Sequence, residues 1–210
     1  ETLDALHPAH HSYRKKIRIE DIPPAQQTKA RVAYYGLVDF LDRQIGKVLE
    51  SLDRGGFLDN TIVVYFSDHG EMMGRHGLWH KGCFFEDSVR VPLVVRMPDG
   101  TGAGRRVAVP VSLVDILPTI SDWAGESLQH DVDGHSLVPL LQGEDSRINR
   151  PVKSEYYQAG CVRMVRMGDW KLVHYADYDR RELFNLLDDP NETTNLAGLE
   201  AFRAEEDCLA

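Results

Sequence analysis

Cysteine is scarce, and what there is forms no pattern. Cys83, Cys161 and Cys208 are an odd, widely spaced set of three without a C-x-x-C pair. That gives neither a disulfide framework nor a cysteine-based zinc site. Long hydrophobic runs are missing too, and no stretch approaches the ~20 apolar residues that span a bilayer. No charged, apolar and small-residue signal segment opens the chain, whose start reads as internal. A basic excess is absent: the formal net charge is −9, which argues against a general nucleic-acid or membrane binder. The glycine-rich stretch 99–104 lacks the G-K-[ST] ending of a phosphate loop and the dinucleotide fingerprint. It reads as a flexible turn. There are no internal repeats.

What is present is ordinary globular material. The 210 residues are 42% hydrophobic and 27% charged, enough for one large domain or a domain with a smaller lobe. Residues 1–25 are polar and without periodicity. His7, His10, His11 and the run Arg14-Lys15-Lys16 are expected on a solvated surface loop. Pro23-Pro24 makes a helix entry. Between 25 and 54, Val32, Tyr35, Val38, Leu41, Ile45, Val48, Leu49 and Leu52 recur at helical steps, opposite Asp39, Arg43, Lys47 and Glu50. This is a long amphipathic helix, stopped by Gly55-Gly56, and it is expected to lie over a sheet face.

The densest chemistry lies between 61 and 97. Residues 61–66 are an unbroken β-branched and aromatic run, the pattern of a strand covered on both faces. Ser67, Asp68, His69, Gly70 and Glu71 follow where the strand ends. In open α/β sheets, ligands sit outside the carboxyl ends of strands. Taken singly, Asp68 is a turn former and His69 a satisfied imidazole. Together, with Gly70 allowing a sharp turn, they can address one cation. Lys81 adds a positive charge in the same loop, along with His76 and His80, a set suited to an anionic substrate. A helical turn at 84–88 and a strand at 91–97 follow, with Arg90 given a structural place beside the strand.

Farther on, a strand is expected at 106–113. A short helix follows from Asp115 to Trp123, stopped by Gly125, and His135 falls in a loop. From 149 the texture changes to short strand-like runs at 153–158, 162–166, 170–175 and 182–186. Turns at Ala159-Gly160 and Gly168-Asp169 separate them, as in a small antiparallel sheet. Asp188, Asp189, Asn191 and Glu192 lack EF-hand spacing and are expected to form a polar turn capping the last helix.

The blocks S-D-H-G-E at 67–71, G-L-W-H-K at 77–81 and F-F-E-D-S-V-R-V-P-L at 84–93 resemble the sulfatase family of the alkaline-phosphatase superfamily. So do V-S-L-V-D-I-L-P-T-I at 111–120, D-G-H-S-L-V-P-L-L at 133–141, M-G-D-W-K-L-V-H-Y and L-F-N-L-L-D-D-P-N-E-T-T-N-L. The likeness runs from about residue 30 to 197. It is strongest to choline sulfatases and other Asp-His sulfatases, with phosphonate monoester hydrolases close behind.

The resemblance implies an α/β fold: part of an alkaline-phosphatase-like mixed sheet flanked by helices, at 1–148, followed by a small antiparallel sheet and helix at 149–210. It implies Asp68 and His69 as ligands of one divalent cation, calcium first and manganese its rival, because imidazole is softer than the amide many relatives carry there. It makes Lys81 the sulfate-binding and catalytic lysine, with His80, and more distantly His76, near the leaving group.

The family nucleophile is a formylglycine made from C-x-[PA]-S-R, or a serine in its place. Cys83 opens C-F-F-E-D and Cys161 opens C-V-R-M-V, so the nucleophile is absent here. The chain reads as the carboxyl-terminal part of a sulfatase that hydrolyses sulfate monoesters. The alternatives are a phosphonate or phosphate monoester hydrolase of the same superfamily, or a non-catalytic sulfatase-like fragment. Expected partners are a small-molecule or glycan sulfate ester and the missing amino-terminal half or a second copy, with no nucleic acid and no membrane.

Overall fold

The computed structural model describes residues 7–144, 150–157 and 160–210. The chain divides into two compact units, Glu1–Ala103 and Gly104–Ala210.

In the first unit, helix α1 (Pro8–Lys16) precedes the long α2 (Pro24–Arg54), strand β1 (Val63–Phe66), the short α3 (Glu86–Val89) and strand β2 (Leu93–Arg96). The amino-terminal segment departs from expectation. It is a helix, entered through Pro8 and capped by His7, whose Nδ1 accepts the Ala9 N–H at 3.1 Å. A surface loop was expected because charge hid the spacing of His10, Tyr13 and Arg14, which are buried. His10 packs on Phe85 at 5.2 Å between ring centroids, and Phe85 stacks on His76 at 4.0 Å.

Burial, and after it the neighbouring His7, His76 and His11, pushes the His10 pKa down from 6.5 to about 3. The folded protein therefore binds fewer protons than the unfolded chain between those two values. Stability is intact above about pH 6.5 and falls as the pH drops toward 3, by up to about 1.4 kcal/mol per pH unit. His10→Phe is expected to flatten that slope in denaturant titrations at pH 7, 6 and 5. An unchanged slope would remove His10 from the account.

Helix α2 forms where periodicity places it, with Arg54 in its last turn and Gly55 as its cap. Its apolar stripe is not covered, however: none of its residues is buried, and Tyr35 and Phe40 are 72% and 61% exposed. Its first turns hold the chain beyond β1, through Arg31 Nε donating to the Met73 carbonyl at 2.8 Å. Strand β1 pairs antiparallel with β2, Val63 opposite Arg96 and Phe66 opposite Leu93. Burial on both faces was expected from its apolar run. Val63, Val64 and Tyr65 are half-buried and Phe66 is exposed, because among the described residues β2 is its one strand neighbour.

In the second unit, residues 105–112 form no strand; the apolar alternation there finds no ladder partner among the described residues. Helix α4 (Ile116–Ala124) ends on Gly125 at φ 70°, as its sequence indicates. Asp115 is fully buried and gathers Ser112 N–H, His135 N–H and Arg150 on its carboxylate. His135 thus contributes its backbone to structure while its side chain is exposed. The one-turn helix α5 (Val138–Leu141) follows.

The four strands β3 (Val152–Tyr156), β4 (Val162–Met167), β5 (Trp170–Tyr175) and β6 (Arg180–Asn185) form an antiparallel sheet in sequential order. Residues Gln158 and Ala159, expected at a strand end and turn, lie outside the described residues. Helix α6 (Arg203–Leu209) completes a core of Leu172, Leu183 and Leu209 with Val165, Met167, Trp170 and Phe202 around it. Asp189 accepts from Thr193 and Thr194 N–H. The acidic turn therefore closes on itself, and α6 has no side-chain cap.

Candidate functional site

The end of β1 delivers the chain straight into its polar loop. Ser67 turns back and donates its hydroxyl to the His69 carbonyl at 2.9 Å. The Asp68 carboxylate receives the His69 N–H at 2.9 Å through Oδ1, and its Oδ2 lies 3.4 Å from His69 Nε2. Lys81 returns from the far side of the loop and places Nζ 2.6 Å from that same Nε2. His69 thus has Asp68 on one side and Lys81 on the other, and the Asp68 side chain remains 84% exposed.

The imidazole's orientation is informative. His69 Nδ1 lies 2.9 Å from the Gly70 carbonyl, and a carbonyl only accepts, so Nδ1 carries the proton. Nε2 then holds the lone pair and accepts from the Lys81 ammonium. A backbone carbonyl fixing one ring nitrogen while the other faces a cation is the arrangement of a metal-ligating histidine. The Asp68 carboxylate oxygen and the His69 imidazole nitrogen lie 3.4 Å apart at the strand end, donor types that suit two ligands of a divalent cation. They are two and no more: among the described residues no group of three histidine, cysteine or acidic side chains is placed to hold a metal.

The other imidazoles are placed differently. His76, in a left-handed backbone conformation at φ 50°, stacks on Phe85 with its ring plane 9° from parallel. His80 is exposed, at φ 64°, and its backbone N–H donates to Glu71 Oε1 at 2.6 Å. The His80 side chain makes no hydrogen bond to Asp68, His69 or Lys81. Arg90 has its backbone N–H on the Glu86 carbonyl, closing α3.

Apart from Gly70, the residues that hold the loop went unassigned in the sequence. Gly70 N–H donates to the Ser88 carbonyl at 2.7 Å, while Ser88 Oγ donates to the Lys81 carbonyl at 3.0 Å. Gly70 is required by proximity, since a Cβ there would lie 2.1 Å from the Asp87 carbonyl oxygen. Arg75 pairs with Asp87 at 2.7 Å. Tyr13 of α1 lies against Gly82 and directs its hydroxyl to the Trp79 carbonyl at 3.4 Å.

Comparison with known proteins bears on what this loop serves. The family model for Sulfatase matches residues 4–126. The chain belongs to the sulfatase family. A second model, N-sulphoglucosamine sulphohydrolase, C-terminal, matches residues 74–207. Among sulfatases, a choline-sulfatase of Rhizobium meliloti is 40% identical over 183 residues, covering 84% of this chain and 35% of that protein. Arylsulfatase K of Mus musculus is 36% identical over 212 residues, 93% of this chain and 38% of that one. Among solved structures, the phosphonate monoester hydrolase of Silicibacter pomeroyi superposes with a TM-score of 0.80 at 32% identity, over 90% of this chain and 41% of that one. This sulfatase chain thus spans well under half the length of the relatives it matches, and its fold is part of an alkaline-phosphatase-like one.

Proposed function

We propose that this chain is the carboxyl-terminal part of a sulfuric ester hydrolase and supplies the cation-and-lysine half of its site. The observation that carries this is Lys81 Nζ at 2.6 Å from His69 Nε2, with the Asp68 carboxylate beside it. Asp68 and His69 would hold one divalent cation, calcium or manganese. When bound, that cation supplies positive charge to the sulfate oxygens and to the nucleophile. Lys81 balances the negative charge spread over the non-bridging oxygens as the ester bond breaks. His80, exposed beside it, is the group proposed to give a proton to the departing oxygen. The formylglycine is expected in a part of the longer protein that this chain does not contain, so the isolated chain should turn over no ester. The proposed division places the catalytic part at 1–148 and the terminal sheet at 149–210, with the amino-terminal half, or a second copy, as its partner.

Phosphonate monoester hydrolysis is the second reading. The likeness to the Silicibacter pomeroyi enzyme favours it, and tetrahedral phosphorus and sulfur oxyanions make similar demands on a metal and a lysine. Assaying the full-length protein on a sulfate and a phosphonate monoester decides between them; hydrolysis of neither would defeat both. Titration calorimetry with Ca²⁺ and Mn²⁺ tests the ligands separately. Asp68→Ala is expected to weaken cation binding at least ~100-fold, since one of few ligands is lost. Equal affinity in the variant would take Asp68 out of the site.

A further inference from the structure

The loop bearing the site is closed by one carboxylate that no role above uses. Glu71 stands two residues beyond His69 on the outgoing arm. Its Oε1 accepts the His80 N–H at 2.6 Å and the Met73 N–H at 3.3 Å. The Met72 N–H donates in turn to the His80 carbonyl at 2.9 Å. His80 is therefore gripped from both sides of its backbone, and it is held at φ 64°, a conformation a non-glycine residue leaves when nothing retains it.

The direction of the next residue depends on that grip. Lys81 follows His80 directly, and its side chain must span the gap to His69 across the loop. Ser88 ties down the Lys81 carbonyl and the Gly70 N–H, but it leaves the turn at His80 free to relax to negative φ. Glu71 is the side chain that removes this freedom. A carboxylate accepting backbone N–H groups makes the charge-assisted, shorter class of hydrogen bond.

We propose that Glu71 is a positioning residue. By holding His80 in the left-handed conformation it aims Lys81 at His69 and at the anionic substrate oxygens, and it touches neither substrate nor metal itself. This rests on the function proposed above for Lys81, and the test separates the two.

The test uses the full-length protein carrying Glu71→Ala, Glu71→Gln, Glu71→Asp, Lys81→Ala or the Glu71→Ala/Lys81→Ala pair. Glu71→Ala is expected to lower kcat/KM on the sulfate monoester about 30-fold, and Glu71→Gln, which keeps an acceptor oxygen, only about 3-fold. In the Lys81→Ala background, Glu71→Ala should cost almost nothing more, because residues acting through one another are not additive. An additive loss in the pair, or a Glu71→Ala protein as active as wild type, overturns the proposal. If Glu71→Ala does not fold, Glu71→Asp replaces it, with the charge kept and the reach shortened by one methylene, and the same two criteria apply.

Amide exchange at His80 supplies the readout independent of catalysis. Loss of its protection in Glu71→Ala or Glu71→Asp, with protection at Gly70 retained, supports the clamp even if the wild-type protein hydrolyses no ester and the functional reading fails. Unchanged His80 protection overturns it.

Discussion

Lys81→Ala in the full-length protein is expected to lower kcat/KM toward a sulfate monoester about 10³-fold while leaving its thermal midpoint nearly unchanged. Both halves follow from where the side chain sits. Lys81 is exposed on a loop, so truncation opens no cavity and strands no buried group. Its ammonium meets the His69 Nε2 lone pair at 2.6 Å, with the Asp68 carboxylate next to it. In the proposed site a charge so placed acts on the anion that the cation would hold, and its value rises when water is displaced from around it. Lys81→Arg should restore only part of the rate, because a planar fork cannot reproduce the point charge at that nitrogen. Initial rates on both variants, with circular dichroism to check the fold, settle the matter. Wild-type activity in Lys81→Ala would remove the central element of the proposed site.

Much of that site was legible because its chemistry is local. Asp68 and His69 are adjacent at a strand end, and strand, glycine and carboxylate each announce themselves within ten residues. The resemblance of the surrounding blocks singled out Lys81 as a sulfate contact, but its meeting with His69 across twelve residues became visible only in the structure. Glu71 and Ser88 were not legible as clamps. Their partners are backbone groups of His80, Gly70 and Lys81, and backbone hydrogen bonds leave no trace in residue identity. The one available signal was Glu71 itself, an acid placed beside two loop histidines without an obvious ion-pair partner.

The fold shows the same division. Periodicity found α2 and the strands of the terminal sheet, since each depends on a face repeating every 3.6 or 2 residues. It failed at α1, where apart from Ala9 the buried side chains are His10, Tyr13 and Arg14, residues that hydropathy counts as surface. It also promised cover for α2 and for both faces of β1. Periodicity reports that a face is apolar and leaves open which segment lies on it. In a chain spanning about 35–38% of its sulfatase relatives, those two questions come apart.

Lys171 is where hydropathy misleads most, and it carries the largest expected effect on stability. In the run W-K-L-V-H-Y it alternates with Trp170 and Leu172, which face the α6 side of the sheet, so it should point to solvent if the other face were wet. That face is buried as well: Val173, Tyr175, Met164 and Phe184 are nearly inaccessible. Lys171 is 0% exposed and forms an ion pair with Glu192, which is 2% exposed and sits in the turn closed by Asp189. A buried pair is a weak source of net stability, because desolvating two charges offsets most of their attraction. Breaking it is a different event, since the remaining charge stays buried without its counter-ion. Lys171→Met keeps the volume and takes the ammonium away from buried Glu192; Glu192→Gln keeps the side-chain size and takes the carboxylate charge away from buried Lys171. Each is expected to cost about 3–5 kcal/mol, enough to lower the thermal midpoint by roughly 6–20 °C. The double variant should recover more than half of either loss, because neither charge is then left alone. Thermal and denaturant unfolding of the three variants measures this directly. Equal losses that simply add would mean the two side chains are stabilised by separate surroundings and that the ion pair does not couple strand β5 to the turn at Glu192.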